Sequence, residues 1–137
     1  MPKPVPTGAR AEVEEIVELK HTLTARNEAL PPVMSTPNMI EMMEMACFFA
    51  LQPFAEGDEI TVGTHINVRH TAACGVGAKV KAEAVMESFD GRFYLMRCRA
   101  WAEQGGKTFD IGDGTVGRAF VSVGQFVEKM KARGVVM

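Results

Sequence analysis

One segment, residues 37–51, is apolar around almost its whole circumference, and it constrains the fold more than any other part of the chain. Pro37 suits the first position of a helix, and Ser35 or Thr36 before it can cap that helix. Pro53 favours an end to the helix shortly afterwards. A helix that is apolar on all sides is buried on most of them, so the rest of the chain has to enclose it.

The segments that follow this helix have the period-two alternation of β-strands. Four strands are predicted, over residues 60–70, 78–87, 92–103 and 108–122. Asp90-Gly91 is a strong hairpin signal. Because short turns join the strands, the sheet has to be antiparallel and has to curl around the helix. We therefore predict an α+β fold in which a curved antiparallel β-sheet wraps around one long central helix.

The two ends of the chain are less regular. Residues 17–24 favour a strand, whereas residues 11–16 fit either a strand or a helix. Residues 123–133 predict a short C-terminal helix. No repeat or second-domain boundary interrupts the pattern, so we expect a flexible N-terminal lead-in over residues 1–10 and a single domain over residues 11–137.

The composition indicates a globular protein with an apolar core. The chain has 137 residues, of which 47% are hydrophobic and 23% are charged, and its net charge of −2 argues against a nucleic-acid partner. No apolar run approaches the roughly 20 residues that cross a bilayer, and the first residues lack the features of a signal peptide, so we expect no membrane contact. Three widely spaced cysteines argue against a disulfide framework or a zinc site and favour a reducing cytoplasm.

Methionine is abundant in one part of the chain. Five of the ten methionines lie between Met34 and Met45. Methionine is pliable and fills irregular apolar spaces, so a methionine-rich core is the simpler interpretation. A wall that adapts to an apolar chain is the other interpretation, and the two are compatible.

His70 is the most suggestive polar residue. It ends a predicted strand, and on an alternating strand it shares a face with Val62, Thr64, Ile66 and Val68. A partly dehydrated imidazole in such a place titrates near neutrality and can act as a general base. A structural histidine with satisfied hydrogen bonds is the alternative. His65 takes the opposite face and is expected at the surface or at an interface.

Three motifs occur in order along the chain. Ser35-Thr36-Pro37-Asn38-Met39 opens the helix, Met43-Glu44-Met45-Ala46-Cys47 lies in its middle, and Val62-Gly63-Thr64-His65 leads into Val68-Arg69-His70-Thr71-Ala72-Ala73. Over roughly residues 17–120 the sequence resembles the fluoroacetyl-CoA thioesterase-like branch of hotdog proteins, in which a curved antiparallel sheet wraps one central helix. The resemblance implies a CoA thioester as substrate and no metal or cofactor beyond that CoA. It also implies a homodimer, or a dimer of dimers, with sites at the subunit interface.

The resemblance further implies that Thr36, Glu44 and His70 are the catalytic residues. His70 would act as a base, Glu44 would orient the imidazole or the attacking water, and Thr36 would either attack the substrate or only donate a hydrogen bond. Thr36 and Glu44 are eight residues apart, which is about 12 Å along a helix. They cannot touch the same substrate atom from one helix, so we expect the site to combine groups from two subunits.

Five further residues are predicted to contact the substrate: Asn38, Met39, Gly63, Thr64 and Gly75. The free N–H groups near Asn38 and Met39, at the start of the helix, can meet a thioester oxygen. The N–H groups of the turn at Gly75 can meet a phosphate of CoA. Gly63 and Thr64 belong to the strand motif that precedes His70.

The chain departs from the family pattern in three places. The last-strand motif Gly-Thr-His-Glu-Arg is replaced by Gly114-Thr115-Val116-Gly117-Arg118, which lacks the imidazole and the carboxylate. The turn after His70 has Cys74-Gly75 in place of Thr-Pro, and the segment over residues 24–35 leaves little room for a lid. We therefore do not expect the fluorinated substrate to carry over. A non-catalytic acyl-CoA binding or sensing module is the alternative function, and a hotdog dehydratase is a third.

Overall fold

The central helix, α1, spans Thr36–Leu51 in a computed structural model that describes residues 4–137. Ser35 is its N-cap, because the Ser35 hydroxyl accepts a hydrogen bond from the backbone N–H of Asn38 at 3.3 Å. Seven residues of α1 are buried, and Met39 and Met43 are completely enclosed. The predicted helix is thus confirmed, and its start lies one residue earlier than expected.

A five-stranded antiparallel sheet curves around α1 in the order β1-β3-β4-β5-β2. The strands are β1 (Arg10–Ile16), β2 (Glu59–His70), β3 (Lys79–Phe89), β4 (Tyr94–Gln104) and β5 (Lys107–Ser122). A short helix, α2 (Val123–Ala132), follows β5. The four strands and the C-terminal helix expected from the sequence are present, and β1 and β2 form the two edges of the sheet.

Small side chains on the central strands bring the sheet close to α1. Ala82 and Ala84 on β3 and Ala100 and Ala102 on β4 are fully buried. The methionines of α1 pack against these alanines, because their flexible side chains adapt to the space that remains. Four of the five methionines between positions 34 and 45 are buried, and Met45 is 42% exposed. The methionines therefore build the core, with one left on the outer side of the helix.

Strand β2 contains a bulge that the alternating sequence pattern did not predict. Thr64 is an extra residue between Gly63 and His65, where the pairing of β2 with β5 shifts by one. An inserted residue reverses the face that every later side chain takes. The prediction that Val62 and Thr64 share a face with His70 is therefore wrong, because the bulge separates them.

The first strand lies earlier in the chain than predicted. β1 ends at Ile16, and two short 3-10 turns, Leu19–His21 and Leu23–Ala25, follow it. The backbone N–H of Glu18 donates to Nδ1 of His21 at 2.8 Å, and local hydrogen bonds of this kind compete with a strand. The ambiguous segment is thus the strand, and the expected strand from Val17 onward is wrong.

The N-terminal segment reaches the sheet before β1 begins. Residues 1–3 of the expected lead-in lie outside the described residues. The backbone of Gly8 donates to Met86 of β3 at 2.9 Å, and Met86 donates to Ala9 at 2.8 Å. Arg10, the last residue of that lead-in, is the first residue of β1. No helix among residues 4–137 is long and apolar enough to cross a membrane.

Candidate active site

Thr36 and His70 are in direct contact. Thr36 stands at the first turn of α1, and His70 is the last residue of β2. Oγ1 of Thr36 lies 2.8 Å from Nδ1 of His70. When the imidazole carries its proton on Nε2, Nδ1 accepts the hydrogen bond of the threonine hydroxyl. The two elements therefore place a hydroxyl and a base within proton-transfer distance, although 34 residues separate them in sequence.

The surroundings of His70 favour its uncharged form. Burial lowers the pKa of His70 from its ordinary value of 6.5, and the backbone at Ala72 partly offsets this effect. Nε2 of His70 is buried and has no hydrogen-bond partner among the described residues. Desolvation disfavours the charged imidazolium, so the ring is a base at neutral pH. A base beside a hydroxyl is the arrangement that activates an oxygen nucleophile.

The carboxylate of Glu44 is held by a buried arginine. Nη1 of Arg118 donates to Oε2 of Glu44 at 3.2 Å. Its other nitrogens donate to the carbonyl of Thr61 at 2.7 Å and to the Thr61 hydroxyl at 3.1–3.2 Å. Burial lowers the pKa of the Arg118 guanidinium, but arginine remains charged in proteins. Glu44 is thus fixed between α1 and β5 by a cation that is only 5% exposed.

Sequence reasoning did not single out Arg118 as a site residue. A signal was available, because Arg118 is the polar residue of the last-strand motif that this chain retains after Thr115. Strand β5 directs its side chain under α1, where it meets Glu44 across 74 residues of sequence. The ion pair depends on the packing of β5 against α1, which no local pattern encodes.

One chain brings Thr36 to His70 and leaves Glu44 apart from them. Thr36 and Glu44 are separated by eight helical residues, which is about 12 Å along α1. The Glu44 carboxylate accepts its hydrogen bond from Arg118 of β5. The three predicted catalytic residues therefore form a hydroxyl–imidazole pair and a separate carboxylate–guanidinium pair.

The predicted substrate contacts at the helix start are occupied within the chain. The side-chain amide of Asn38 donates to the Ser35 hydroxyl at 2.6 Å and to the backbone carbonyl of His21 at 3.2 Å. The side chain of Met39 is completely buried, close to Gly112 of β5. Asn38 thus braces the turn that carries Thr36. Contacts of these two residues with a substrate stay predictions.

The three other predicted contacts lie in different surroundings. Gly63 lies directly beneath Glu44, since a Cβ on it would be 2.6 Å from Oε2 of that residue. Thr64 is exposed in the bulge, with its hydroxyl 3.1 Å from Nδ1 of His65. The N–H of Gly75 donates to the side chain of Gln104 at 2.9 Å and is engaged inside the fold. Only Gly63 borders one of the predicted catalytic groups.

Val116 and Gly117, the two residues that depart from the family motif on β5, have different surroundings. Val116 is fully buried in the core. Gly117 lies beneath the ring of His65, and a Cβ on it would be 2.0 Å from Cε1 of that ring. The exposed ring of His65 also meets Phe93 edge-on, with centroids 6.0 Å apart. The glycine therefore makes room for an imidazole from the neighbouring strand.

An open groove runs along the outer side of α1 beside Glu44. Its volume is about 610 Å³, within the range of small-molecule sites. Its lining comes from α1 and from one residue of β5: Pro37, Ile40, Glu41, Glu44, Met45, Phe48 and Arg118. Among residues 4–137, no group of three or more His, Cys, Asp or Glu side chains could hold a metal ion. The groove therefore joins an apolar wall to the Glu44–Arg118 pair.

The architecture is that of the hotdog thioesterases. The chain superposes on a thioesterase-superfamily member from Thermus thermophilus with a TM-score of 0.83 and 26% identity, over 95% of this chain and 96% of that one. A hot-dog-like protein from Thermanaerovibrio acidaminovorans, 21% identical, has the same fold with a TM-score of 0.82 over 96% of this chain and 95% of that one. The predicted fold class is confirmed.

The chain belongs to the family of the fluoroacetyl-CoA-specific thioesterase FlK, whose sequence profile matches residues 17–124. It is 36% identical over 103 residues to the fluoroacetyl-CoA thioesterase of Streptantibioticus cattleyicolor, covering 75% of this chain and 71% of that protein. A solved structure of FlK matches with a TM-score of 0.82 and 30% identity, over 95% of this chain and 98% of that one. The resemblance seen in the sequence and the predicted enzyme class, a thioester hydrolase, are confirmed.

Proposed function

We propose that this protein hydrolyses acyl-CoA thioesters with Thr36, His70 and Glu44 as its catalytic residues. The observation that carries the proposal is the 2.8 Å contact between the Thr36 hydroxyl and Nδ1 of His70. A nucleophile and a base within about 2.6–3.2 Å of each other are what covalent acyl transfer requires. Membership of a thioesterase family supplies the substrate class.

The pair supports a two-step reaction. Oγ1 of Thr36 attacks the thioester carbonyl carbon while its proton passes to Nδ1 of His70. The carbon–sulfur bond then breaks, and the departing CoA thiolate takes that proton from His70. In the second step His70 removes a proton from water, which attacks the Thr36 ester. The carboxylic acid leaves, and the proton returns to Thr36, so the enzyme is regenerated.

Glu44 enters this site from a second copy of the chain. Within one chain Glu44 is committed to Arg118 and lies about 12 Å along α1 from Thr36. The unpaired edge of β2 is twelve residues long and can pair with another strand. Ile66 on β2 is 40% exposed, so apolar surface accompanies that edge. These features support a homodimer, and they leave a dimer of dimers open.

The state of the cysteines favours the cytoplasm as the compartment of this protein. Cys47, Cys74 and Cys98 are all buried free thiols. Thiols persist in reducing compartments, whereas secreted proteins of this size often carry disulfides.

The test is hydrolysis of an acyl-CoA panel by the parent and by His70→Ala, Glu44→Gln and Thr36→Ala variants whose folding is checked by circular dichroism. We expect losses of about 10²–10⁴-fold for the base and the nucleophile. His65→Ala is the matched control, because it removes an exposed imidazole of the same strand, and light scattering checks that it keeps the oligomeric state of the parent. A folded His70→Ala variant that is as fast as the parent would overturn the proposal. Tight acyl-CoA binding without turnover in the parent would favour a sensing module.

Mass spectrometry of the enzyme after rapid mixing tests the covalent step. An adduct of the mass of the acyl group on the parent, absent from Thr36→Ala, supports nucleophilic attack by Thr36. No adduct, together with substantial activity in Thr36→Ala, would mean that Thr36 only positions a water molecule.

A further inference from the structure

The turn over residues 71–77 is attached to both members of the hydroxyl–imidazole pair. It leaves β2 directly after His70, so its backbone carries that imidazole. The carbonyl of Cys74 accepts a hydrogen bond at 2.8 Å from the backbone N–H of Met34, two residues before Thr36. The turn therefore ties the end of β2 to the start of α1, and its position helps to set the distance between the Thr36 hydroxyl and the His70 ring.

The side chain of Gln104 holds this turn through two consecutive backbone groups. Its Oε1 accepts a hydrogen bond from the N–H of Gly75 at 2.9 Å, and its Nε2 donates to the carbonyl of Val76 at 3.2 Å. An amide that uses both its acceptor and its donor fixes the orientation of the turn as well as its distance. The bridge between Val33 and Gly75 passes this restraint on to the segment before α1.

Gln104 is itself held by regular structure. It is the last residue of β4 and pairs with Lys107, the first residue of β5. Gly105 and Gly106 between them have φ of 62° and 75°, as a type I′ turn requires, and this turn matches the twist of the two strands it joins. The amide that holds residues 71–77 is therefore anchored in the sheet, and groups on strands are positioned more precisely than groups on loops.

We propose that Gln104 is a positioning residue for the hydrolytic reaction, because its side-chain amide holds residues 71–77 where His70 meets the Thr36 hydroxyl. The inference deepens the proposed function and rests on it. Gln104 acts through the backbone and does not have to touch the substrate. Without the amide the turn keeps its hydrogen bond with Met34 and another at 2.9 Å from the Gly77 N–H to Val17, so the chain should still fold.

The first experiment compares the parent with Gln104→Met and Gln104→Glu in steady-state hydrolysis of an acyl-CoA thioester. Methionine has a similar length and makes neither hydrogen bond. We expect kcat to fall about tenfold with KM within about twofold, because a misplacement of about 1 Å can cost 10²-fold. Glutamate still accepts from the Gly75 N–H, so it should recover part of that loss.

Gln52→Met is the matched control for these variants. The Gln52 amide also donates to a backbone carbonyl, that of Glu59 at 3.3 Å. It lies at the C-terminal end of α1, whereas Thr36 lies at the other end. Circular dichroism and the thermal midpoint of each variant show whether Gln104→Met and Gln52→Met are comparably folded.

The titration of the His70 ring by nuclear magnetic resonance is a readout that a general loss of stability does not move. Burial lowers the pKa of His70 in the parent. When the turn loosens, water reaches the ring and the hydroxyl donor at Nδ1 moves away, and both changes favour the charged form. The pKa of His70 should therefore rise toward 6.5 in Gln104→Met and stay unchanged in Gln52→Met. His70→Ala identifies the resonance.

The outcomes separate this inference from the proposed function. A folded Gln104→Met variant with the kcat of the parent overturns the inference and leaves the thioesterase standing. A raised KM with unchanged kcat also overturns it, because it would assign Gln104 to substrate binding. Equal losses of kcat in Gln104→Met and Gln52→Met overturn it as well, since they would reflect stability alone.

If the parent hydrolyses no thioester, the proposed function fails and the titration of His70 decides the inference. A higher pKa of His70 in Gln104→Met, with no change in Gln52→Met, supports the positioning role. The same pKa in the parent and in Gln104→Met overturns it, whatever the activity. If Gln104→Met does not fold, Gln104→Glu takes its place in both experiments.

Discussion

Replacement of Gly63 by alanine tests whether the position of the Glu44 carboxylate matters for catalysis. A Cβ at residue 63 would lie 2.6 Å from Oε2 of Glu44 and 3.4 Å from Nη1 of Arg118. Ordinary contacts begin at 3.4 Å, so the carboxylate oxygen has to move by 3.4 − 2.6 = 0.8 Å. Gly63 lies within β2 in extended backbone, which alanine also adopts, so the main effect falls on the carboxylate.

The expected loss in kcat/KM is about 10- to 100-fold, because a misplacement of about 1 Å can cost 10²-fold. This corresponds to about 1.4–2.7 kcal/mol of transition-state stabilisation. The assay is release of free CoA thiol, with the thermal midpoint measured in parallel. Gly117→Ala is the matched control, because its Cβ would displace the exposed ring of His65 and not Glu44. Activity of Gly63→Ala equal to the parent would refute the reasoning.

A double-mutant cycle sharpens this test. In a Glu44→Gln background the alanine at position 63 should add little further loss, because both changes act through the same group. Fully additive losses would show that Gly63 acts through the backbone and not through Glu44.

Three further predictions follow from groups described above. Because burial lowers the pKa of His70, the acid limb of the kcat/KM profile should have its midpoint below pH 6.5. Protonation of His70 should favour the unfolded state, so the free energy of unfolding should fall as the pH drops from 6.5 toward that lower pKa. The hydrogen bond with Cys98, together with burial, raises the pKa of the Cys47 thiol, so a thiol reagent at pH 8 should leave Cys47 unlabelled until the protein unfolds. Arg118→Ala should lower the free energy of unfolding by about 3 kcal/mol in denaturant titration, because it removes a buried charge that three groups bind, and an unchanged midpoint would contradict this.

The helix and the hairpins could be predicted because their signals are local. Ser35 and Pro37 mark the helix start through a cap and a missing N–H, and both act within one turn of chain. The turns at 90–91 and 104–107 carry glycines that the backbone requires, such as Gly105 with φ of 62°. Period and turn chemistry therefore determine these elements without reference to distant residues.

The bulge at Thr64 and the position of β1 could not be predicted in the same way. A single strand read in isolation has no partner against which an extra residue can be counted, so Thr64 fits the alternation. The segment at 11–16 has a polar residue at nearly every second position, and only pairing with β3 selects a strand there. Both features depend on pairing between strands, which the sequence of a single strand does not encode.

The candidate site was predicted in part from motifs and not from physical spacing. His70 at a strand end and Thr36 at a helix start are each ambiguous alone, and the resemblance joined them. Arg118 was overlooked because its role requires β5 to pass beneath Glu44. Long-range contacts between charged residues depend on how the sheet packs against the helix, and the sequence pattern of one segment does not encode that packing.

The two sides of α1 lie in different surroundings, because the alanines of the sheet enclose only the inward side. The inward side is closely enclosed, since Ala82, Ala84, Ala100 and Ala102 of the sheet are fully buried against it. The outward side is less enclosed, since Met45 there is 42% exposed. Enlarging one of the four alanines should therefore cost more stability than replacing Met45, because only the inward side has to expel neighbouring atoms to make room.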